Sequence, residues 1–276
     1  MINLDLKDRK IMFQLSKNCR LPTTKLAKKV GLSQQVVDYR INRLIRNRVI
    51  IDFITEINLS KLGYNRTIMY IQLKRVDEKK EKEIVKYFIN HPFLTWVATC
   101  TGKWSIIFDI ITKDIKHVNE IVEEIKEKYG KFLGEYEIIS QIDYKYFNSK
   151  YYGFEETEIA QKPSTKEYNI DKIDLRLLKL ISNNARLDYV QLTNNINLTA
   201  NGIKNRLKNL VQSNIIESFT IIPNKTLFGY EQYNIQFTFE NINKEKEKLL
   251  MNYIKDHPNI NFYYKPVGHW DLEIGI

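Results

Sequence analysis

The residues best suited to chemistry form a polar and basic run between positions 34 and 46. Their amide, phenol and guanidinium groups recur on one side of a predicted helix, and such groups can hydrogen-bond to the edges of DNA bases or neutralise backbone phosphates. The side chains on this face are Gln34, Gln35, Asp38, Tyr39, Asn42, Arg43 and Arg46. The pattern predicts a DNA-reading helix, and the competing interpretation is an ordinary solvated helix face.

Two helices and a tight turn are predicted to position this face. Gly31 ends a first apolar stripe, and glycine adopts the left-handed conformation that closes a helix at low cost. Ser33 can cap the following helix through its side-chain oxygen. The core side of that helix is predicted from apolar residues at helical spacing, namely Val37, Ile41, Leu44 and Ile45. Residues 21–48 therefore form a candidate helix-turn-helix.

The chain carries 43 Lys and Arg against 33 Asp and Glu, a net charge of +10. Residues 1–60 hold twelve basic and five acidic residues, a net +7, whereas residues 167–226 hold eight and five, a net +3. This excess favours a polyanionic partner, although charge alone does not distinguish nucleic acid from a membrane surface. Because no apolar run is long enough to span a bilayer, we expect a soluble cytoplasmic protein without a membrane partner.

Catalytic and metal-binding patterns are sparse. The two cysteines, Cys19 and Cys100, lack the spacing of a zinc site and are too few for a disulfide framework, which fits a reducing compartment. Four histidines occur without a Ser/His/Asp or Cys/His cluster. We therefore expect no enzyme activity, no metal and no cofactor.

An internal repeat organises the chain. A shift of 166 positions aligns residues 5–110 with residues 171–276 without a gap. Identical pairs include Asp5/Asp171, Asp8/Asp174, Arg20/Arg186, Arg40/Arg206 and Gly63/Gly229. We infer a tandem duplication.

The pattern within each copy predicts an α+β fold. Each copy begins with a helix (5–17 and 171–183) and the two-helix unit, and the β-branched runs 49–57 and 215–222 then indicate a small hairpin or wing. Strands and helices at 66–74, 77–90, 94–101, 104–112, 114–129 and 134–145 predict a ferredoxin-like βαββαβ domain. The second copy stops inside its third strand, so its ferredoxin-like domain is predicted to be incomplete. The expected domains are 1–63 and 169–229 (winged helices), 64–146 and 230–276 (ferredoxin-like), and 147–168 (linker).

The order of these parts, with the motifs LDLKDRKI, LAKKVGLS and VVDYRINRLIRN, closely resembles the Lrp/AsnC (feast/famine) family of transcription regulators. This resemblance implies a winged helix that binds double-stranded DNA and a ferredoxin-like RAM domain that mediates dimerisation and often senses amino acids. It therefore implies a pseudo-dimer within one chain or a homo-oligomer. The recognition-helix positions that it assigns are Ser33, Gln34, Gln35, Asp38, Tyr39, Arg40 and Arg43 in copy one, and Thr199, Ala200, Asn201, Lys204, Asn205, Arg206 and Asn209 in copy two. Arg46 and Lys208 are added as phosphate contacts.

Several positions depart from the family pattern. Asn197 replaces the turn glycine of copy two, which asparagine tolerates because it also visits left-handed conformations. Gly202 lies inside the second recognition helix and weakens it by about 1 kcal/mol. The family's glycine before the wing is Arg48 in copy one and Asn214 in copy two, so we expect a different approach to the wing. Arg40 and Arg206 match the family's usual arginine, which either contacts DNA or buttresses the helix.

The family's T-G-x-x-D element near the effector site is matched only in part. The resemblance implies a small-molecule effector, such as an amino acid, and its site residues are Thr101, Gly102, Ser105, Gly268 and Asp271. Copy one lacks the acid and copy two lacks the threonine. The alternative is that the two glycines only serve hairpin turns.

Two other functional classes remain open from the sequence. Siroheme decarboxylases look similar to this family, and His269 and Lys265 are the candidate tetrapyrrole-handling residues in copy two. The other class is an assembly or dimerisation partner with inert winged helices.

Overall fold

The computed structural model describes residues 4–147, 150–154 and 168–276. It contains two compact units, each built from both halves of the chain. The winged-helix unit comprises Met1–Asn58 and Phe147–Tyr233, and the sheet unit comprises Leu59–Tyr146 and Asn234–Ile276. Residues 148–149 and 155–167 of the predicted linker lie outside the described residues.

The helices and strands follow the predicted order. The first copy contains α1 (Leu6–Lys17), α2 (Thr23–Val30), α3 (Gln34–Arg46), β1 (Ile50–Ile57), β2 (Asn65–Leu73), α4 (Glu78–Asn90), β3 (Leu94–Thr99), β4 (Ile106–Thr112), α5 (Ile115–Tyr129) and β5 (Leu133–Tyr146). The second copy contains α6 (Lys172–Ser182), α7 (Tyr189–Asn195), α8 (Ala200–Gln212), β6 (Ile216–Pro223), β7 (Asn234–Phe237), α9 (Lys244–Asp256), β8 (Phe262–Val267) and β9 (Leu272–Gly275). The βαββαβ plan of copy one is confirmed, and the described part of copy two reaches its third strand, as predicted.

The wing strands pair between the copies. β1 and β6 form a two-stranded antiparallel ribbon in which Phe53 faces Ile221 and Thr55 faces Phe219. Each predicted wing is therefore a single strand paired with the other copy, rather than a hairpin within its own copy. After β1 the chain enters a short 3-10 turn and continues into β2 of the sheet unit, so the hydrogen-bonding edge of β1 is satisfied by the equivalent strand of the other copy.

Cross-copy hydrogen bonds reinforce this ribbon on both sides. The Thr55 hydroxyl donates to the Ile181 carbonyl at 2.7 Å, and the Thr220 hydroxyl donates to the Ser16 carbonyl at 2.8 Å. Each first helix is thus tied to the wing strand of the other copy. The core of copy one also includes Tyr152, which comes from the segment that was predicted as a linker.

The sheet unit contains a seven-stranded sheet in the order β3-β4-β2-β5-β8-β9-β7. The first four strands have ferredoxin-like order, and α4 and α5 pack on one face around a core that includes Met69, Phe88 and Phe108. β5 joins the copies by pairing antiparallel with β8. The alternate residues of β2, including Tyr70, point to a second core that is shared with Tyr264 and Trp270 of copy two. No helix within the described ranges has both the length and the apolar composition that crossing a membrane requires.

Cys19 should resist thiol reagents in the native protein. Its side chain is fully buried, and burial raises the pKa of its thiol to about 12 despite the nearby arginines Arg186 and Arg20. Because the thiolate is the reactive species, we expect Cys19 to react at least about 100-fold more slowly than a free thiol at pH 8. Labelling with a chromogenic disulfide in a Cys100→Ser variant, with and without urea, measures this difference. Prompt labelling of the folded variant would contradict the burial.

Candidate nucleic-acid interface

The recognition helix of copy one is α3, and local contacts fix where it begins. Gly31 closes α2 with a φ of 66°, and the Leu32 N–H donates to the Ala27 carbonyl at 3.1 Å. The Ser33 hydroxyl accepts a hydrogen bond from the Val36 N–H at 3.3 Å. The predicted turn and helix cap are thus confirmed.

The core side of α3 is formed by Val37, Ile41 and Leu44, which are buried as predicted. Ile45 was predicted to join them, but it is 39% exposed. Each residue rotates a helix by about 100°, so Ile45 lies at the margin of the stripe that Leu44 centres.

The opposite side of α3 faces solvent. Tyr39 is 60% exposed, whereas Asp38 is half-buried. The other exposed side chains on this side are Ser33, Gln34, Gln35, Asn42 and Arg46. One surface therefore presents the hydroxyl, amide, phenol and guanidinium groups that suit base edges and phosphates.

A buried carboxylate ties α1 to α3. Asp8 has a fully buried side chain and forms a reciprocal capping box with Asp5 at the start of α1. Arg40 Nη1 lies 2.7 Å from Asp5 Oδ2 and 2.9 Å from Asp8 Oδ1. Arg43 Nη2 pairs with Asp8 Oδ2. We call Asp5, Asp8, Arg40 and Arg43 the Asp8 cluster.

The Asp8 cluster changes the interpretation of two predicted DNA contacts. Hydrogen bonding to Asp5 and Asp8 raises the pKa of Arg40, and only 19% of its side chain is exposed. Arg43 is 32% exposed and shares the same carboxylate. Both arginines hold α3 against α1, which is the buttressing alternative for Arg40. A DNA contact by either arginine stays a prediction.

Copy two repeats this arrangement on α8, where the Thr199 hydroxyl caps the helix by accepting a hydrogen bond from the Gly202 N–H at 3.1 Å. Arg206 Nη1 lies 2.8 Å from Asp171 Oδ2 and 2.8 Å from Asp174 Oδ1. Arg206 therefore also holds the recognition helix against the first helix of its copy, and its contact with DNA stays a prediction.

The copies differ at the second partner of the buried acid. Copy two has Asn209 where copy one has Arg43, and the Tyr168 hydroxyl donates to Asp174 Oδ2 at 3.0 Å instead. The exposed face of α8 carries Thr199, Ala200, Asn201, Lys204, Asn205, Lys208 and Asn209. The two recognition helices thus share a scaffold and expose different chemistry.

The turn before α8 is built differently from its counterpart. The non-glycine residues with positive φ in the described chain are Arg48, Arg75 and Asn214, so Asn197 does not take the left-handed conformation that we expected. Instead α7 is closed by an extended Ile196, whose carbonyl accepts from the Leu198 N–H at 2.7 Å.

The approach to the wing keeps one geometry in both copies. Arg48 and Asn214 have φ values of 54° and 58°, the left-handed region that glycine favours, so the expected difference was wrong. Because this conformation strains a side chain such as that of arginine, we predict that Arg48→Gly raises the free energy of unfolding by about 1 kcal/mol. Asn214→Gly should give a smaller gain, since asparagine tolerates this region. Urea unfolding measures both variants, and a loss of stability in Arg48→Gly would refute the strain.

The predicted effector residues have structural roles in the sheet unit. The Ser105 hydroxyl accepts from the Leu73 N–H at 3.0 Å, and Asp271 Oδ2 accepts from the Phe239 N–H at 2.7 Å. Gly102 has a φ of 119°, and a Cβ on Gly268 would lie 3.2 Å from Ile139. Thr101 is exposed beside Gly102. The conformation of Gly102 supports the hairpin alternative, Gly268 packs closely against Ile139, and effector binding stays a prediction.

The roles of the buried acids Asp8 and Asp174 were not predicted from the sequence. Both appeared only as repeat positions, yet each precedes its arginine partner by 32 residues, as Arg40 and Arg206 show. Recurrence of an oppositely charged pair at one spacing in both copies was the available signal.

Comparison with known proteins supports this architecture. Residues 4–45 match the AsnC-type helix-turn-helix domain, and residues 170–217 match a winged helix-turn-helix DNA-binding model. The transcriptional regulator FL11 of Pyrococcus furiosus is 30% identical over 122 residues, which cover 44% of this chain and 80% of that protein. The regulator LrpA of Pyrococcus horikoshii is 30% identical over 133 residues, which cover 48% and 89%.

A solved structure extends the likeness to nearly the whole chain. The siroheme decarboxylase NirDL superposes with a TM-score of 0.63 over 98% of this chain and 81% of its own, at 13% identity. At that identity the match shows a common fold and no common activity. The helix-turn-helix match and the 30% identity over most of FL11 identify the chain as a member of the Lrp/AsnC family of transcription regulators.

Proposed function

We propose that this protein is a sequence-specific DNA-binding transcription regulator that carries two unlike recognition helices on one chain. The observation that carries this proposal is that α3 and α8 each expose a polar face while a buried aspartate holds the inner arginine. This arrangement orients the helix and leaves its outer residues free for a major groove. Double-stranded DNA is the partner in this proposal, and the cytoplasm is its proposed location.

The two copies act as a pseudo-dimer in this proposal. β1 pairs with β6 and β5 pairs with β8, so the contacts that two subunits would supply come from a single chain. Further association into homo-oligomers and regulation by an amino acid or another small molecule belong to the same proposal. Light scattering of the purified chain tests the first, and DNA binding with added amino acids tests the second.

The proposal also holds that the protein is not an enzyme and needs no cofactor. The siroheme decarboxylase shares its fold, so that activity is the alternative to be tested. An inert assembly partner is the other alternative.

One experiment separates these three functions. DNA binding by the full chain is measured between about 50 and 200 mM salt, and its absorbance is recorded before and after siroheme is added. We expect binding to fall steeply with salt, because phosphate neutralisation releases counterions, and we expect no change in the Soret band. A Soret change without DNA affinity would indicate the enzyme, and the absence of both would indicate an assembly partner.

The exposed residues of α3 should contribute directly to sequence recognition. We expect Gln35→Ala to weaken binding to a selected site by about 1–3 kcal/mol, because an amide that contacts a base edge contributes on this scale. Ile51→Ala is a control outside the recognition helix. Equal affinity of Gln35→Ala and the parent protein at fixed salt would show that Gln35 does not contact a base edge.

A further inference from the structure

The sheet unit contains a cavity of about 400 Å³ away from the predicted effector residues. It lies between the end of α4, the turn that follows it and the first half of α5. The side chains that define its chemistry are Tyr87, His91, Phe93, His117, Glu120 and Glu124.

Aromatic rings form one wall of the cavity. The Phe93 and His117 rings pack edge to face with their centroids 4.3 Å apart. The Tyr87 and His91 rings pack in the same way with their centroids 5.8 Å apart. Of these rings, Phe93 and Tyr87 are of the types that attract cations through their negative faces. One such contact already exists beside the cavity, because Lys128 Nζ lies 4.2 Å from the centre of the Tyr87 ring.

Two carboxylates also line the cavity, beside these rings. Glu120 and Glu124 are one helical turn apart on α5 and are both exposed. The hydrogen bond from Tyr87 lowers the pKa of Glu124, with smaller contributions from His91 and Lys128, so its carboxylate is ionised at neutral pH. Its Oε2 atom also lies 3.7 Å from His91 Nε2. The cavity is therefore acidic in a chain whose net charge is +10.

The end of α4 adds to the negative potential. The carboxyl end of a helix carries a partial negative charge, which a basic residue in the last turn commonly offsets. The last turn of α4 contains no basic residue, and its cap is His91. The carboxyl end of α4, the two carboxylates and the aromatic rings therefore all favour a positively charged group in the cavity.

We propose that this cavity binds the ammonium group of a small alkylamine, with the ammonium at Glu120 and Glu124 and the alkyl chain against Phe93. A metal ion fits less well, because the described part of the chain contains no group of three His, Cys, Asp or Glu side chains arranged to hold one. The apolar contacts that Phe93 and Ile121 offer suit a carbon chain.

The site should occur once per chain. The second copy has Asn259 where copy one has Phe93, so it lacks the ring against which the alkyl chain would pack. A titration should therefore reach one equivalent per chain.

The test is a titration of the full chain with n-butylammonium chloride at constant ionic strength. Binding is monitored by NMR through the imidazole proton resonances of His91 and His117. We expect saturation at one equivalent, and we expect Glu120→Gln combined with Glu124→Gln to weaken binding at least tenfold. Glu123→Gln combined with Glu127→Gln on the same helix is the matched control, because it removes two charges from α5 outside the cavity lining. It should leave the affinity unchanged.

A neutral probe of the same shape supplies the second control. n-Butanol should give no saturable shift, because the ammonium charge supplies the attraction. Linear shifts with n-butylammonium, equal binding of n-butanol, or unchanged affinity in the double variant would each overturn the proposal. Phe93→Leu, which keeps an apolar side chain and removes the ring, should weaken binding about threefold, and no change would remove the ring from the site.

Discussion

Asp8→Asn should lower the free energy of unfolding of the winged-helix unit by about 3 kcal/mol and reduce specific DNA binding as well. The Asp8 carboxylate is fully buried and forms salt bridges with both Arg40 and Arg43. Removing one member of a buried ion pair leaves its partners without compensation, which costs about 3–5 kcal/mol. The partial exposure of both arginines places the expected cost at the lower end. Urea unfolding followed by circular dichroism gives the stability, and fluorescence anisotropy gives the DNA affinity.

Asp5→Asn is the matched control for this variant. Asp5 contacts the same Arg40, but 52% of its side chain is exposed, so its loss should cost less than about 1 kcal/mol. Asp174→Asn is the equivalent change in copy two. There the buried acid contacts one arginine, Arg206, and the neutral Tyr168, whereas Asp8 contacts two arginines. If Asp8→Asn and Asp5→Asn were equally mild, the buried acid would not anchor the recognition helix.

Insertion of about five base pairs between the two half-sites should weaken DNA binding about 100-fold, because half a helical turn moves one half-site to the other side of the duplex. Both recognition helices belong to one compact unit, and the β1–β6 ribbon with its flanking threonine hydrogen bonds limits their independent movement. One recognition helix would then lose its one or two base contacts. Because each contact contributes about 1–3 kcal/mol, this loss accounts for the roughly 100-fold weaker binding.

The control for the spacing experiment is the same insertion placed outside the two half-sites. It should leave the affinity unchanged, since it keeps the length and composition of the duplex. Equal affinity for the parent site and the internally lengthened site would mean that the two winged helices bind independently.

Local sequence patterns predicted the features that depend on local physics. The spacing of Val37, Ile41 and Leu44 defined the core side of α3, and Gly31 and Ser33 marked its start, because helix periodicity and capping involve neighbours in the chain. Ile45 was misplaced because an apolar residue at the margin of a stripe satisfies the same pattern.

Features that depend on distant partners were missed or wrong. The β-branched run of β1 indicated a strand, but nothing local showed that its partner was β6 of the other copy. Arg43 was assigned to DNA because its position on α3 looks outward in a helical projection, whereas a long side chain can reach back to Asp8 on another helix. The exposed residues Gln35 and Tyr39 are placed correctly, and their contact with DNA stays a prediction.

The two recognition helices differ in the side chains and the charge that they offer to DNA. Gln34, Gln35 and Tyr39 of copy one correspond to Ala200, Asn201 and Asn205 of copy two. Residues 1–60 also carry the larger net charge, +7 against +3 for residues 167–226. We therefore expect copy one to contribute more to affinity and the two half-sites to differ in sequence.

Selection from random DNA duplexes with the full chain, followed by footprinting, tests whether one chain carries two unlike DNA-reading helices. We expect an enriched site with two unlike half-sites about ten base pairs or a multiple apart. We also expect that alanine at Gln34, Gln35 and Tyr39 abolishes preference for one half only, whereas alanine at Asn201, Lys204 and Asn205 abolishes preference for the other. Recovery of a perfect palindrome, or of no enriched sequence, would contradict two unlike DNA readers on one chain.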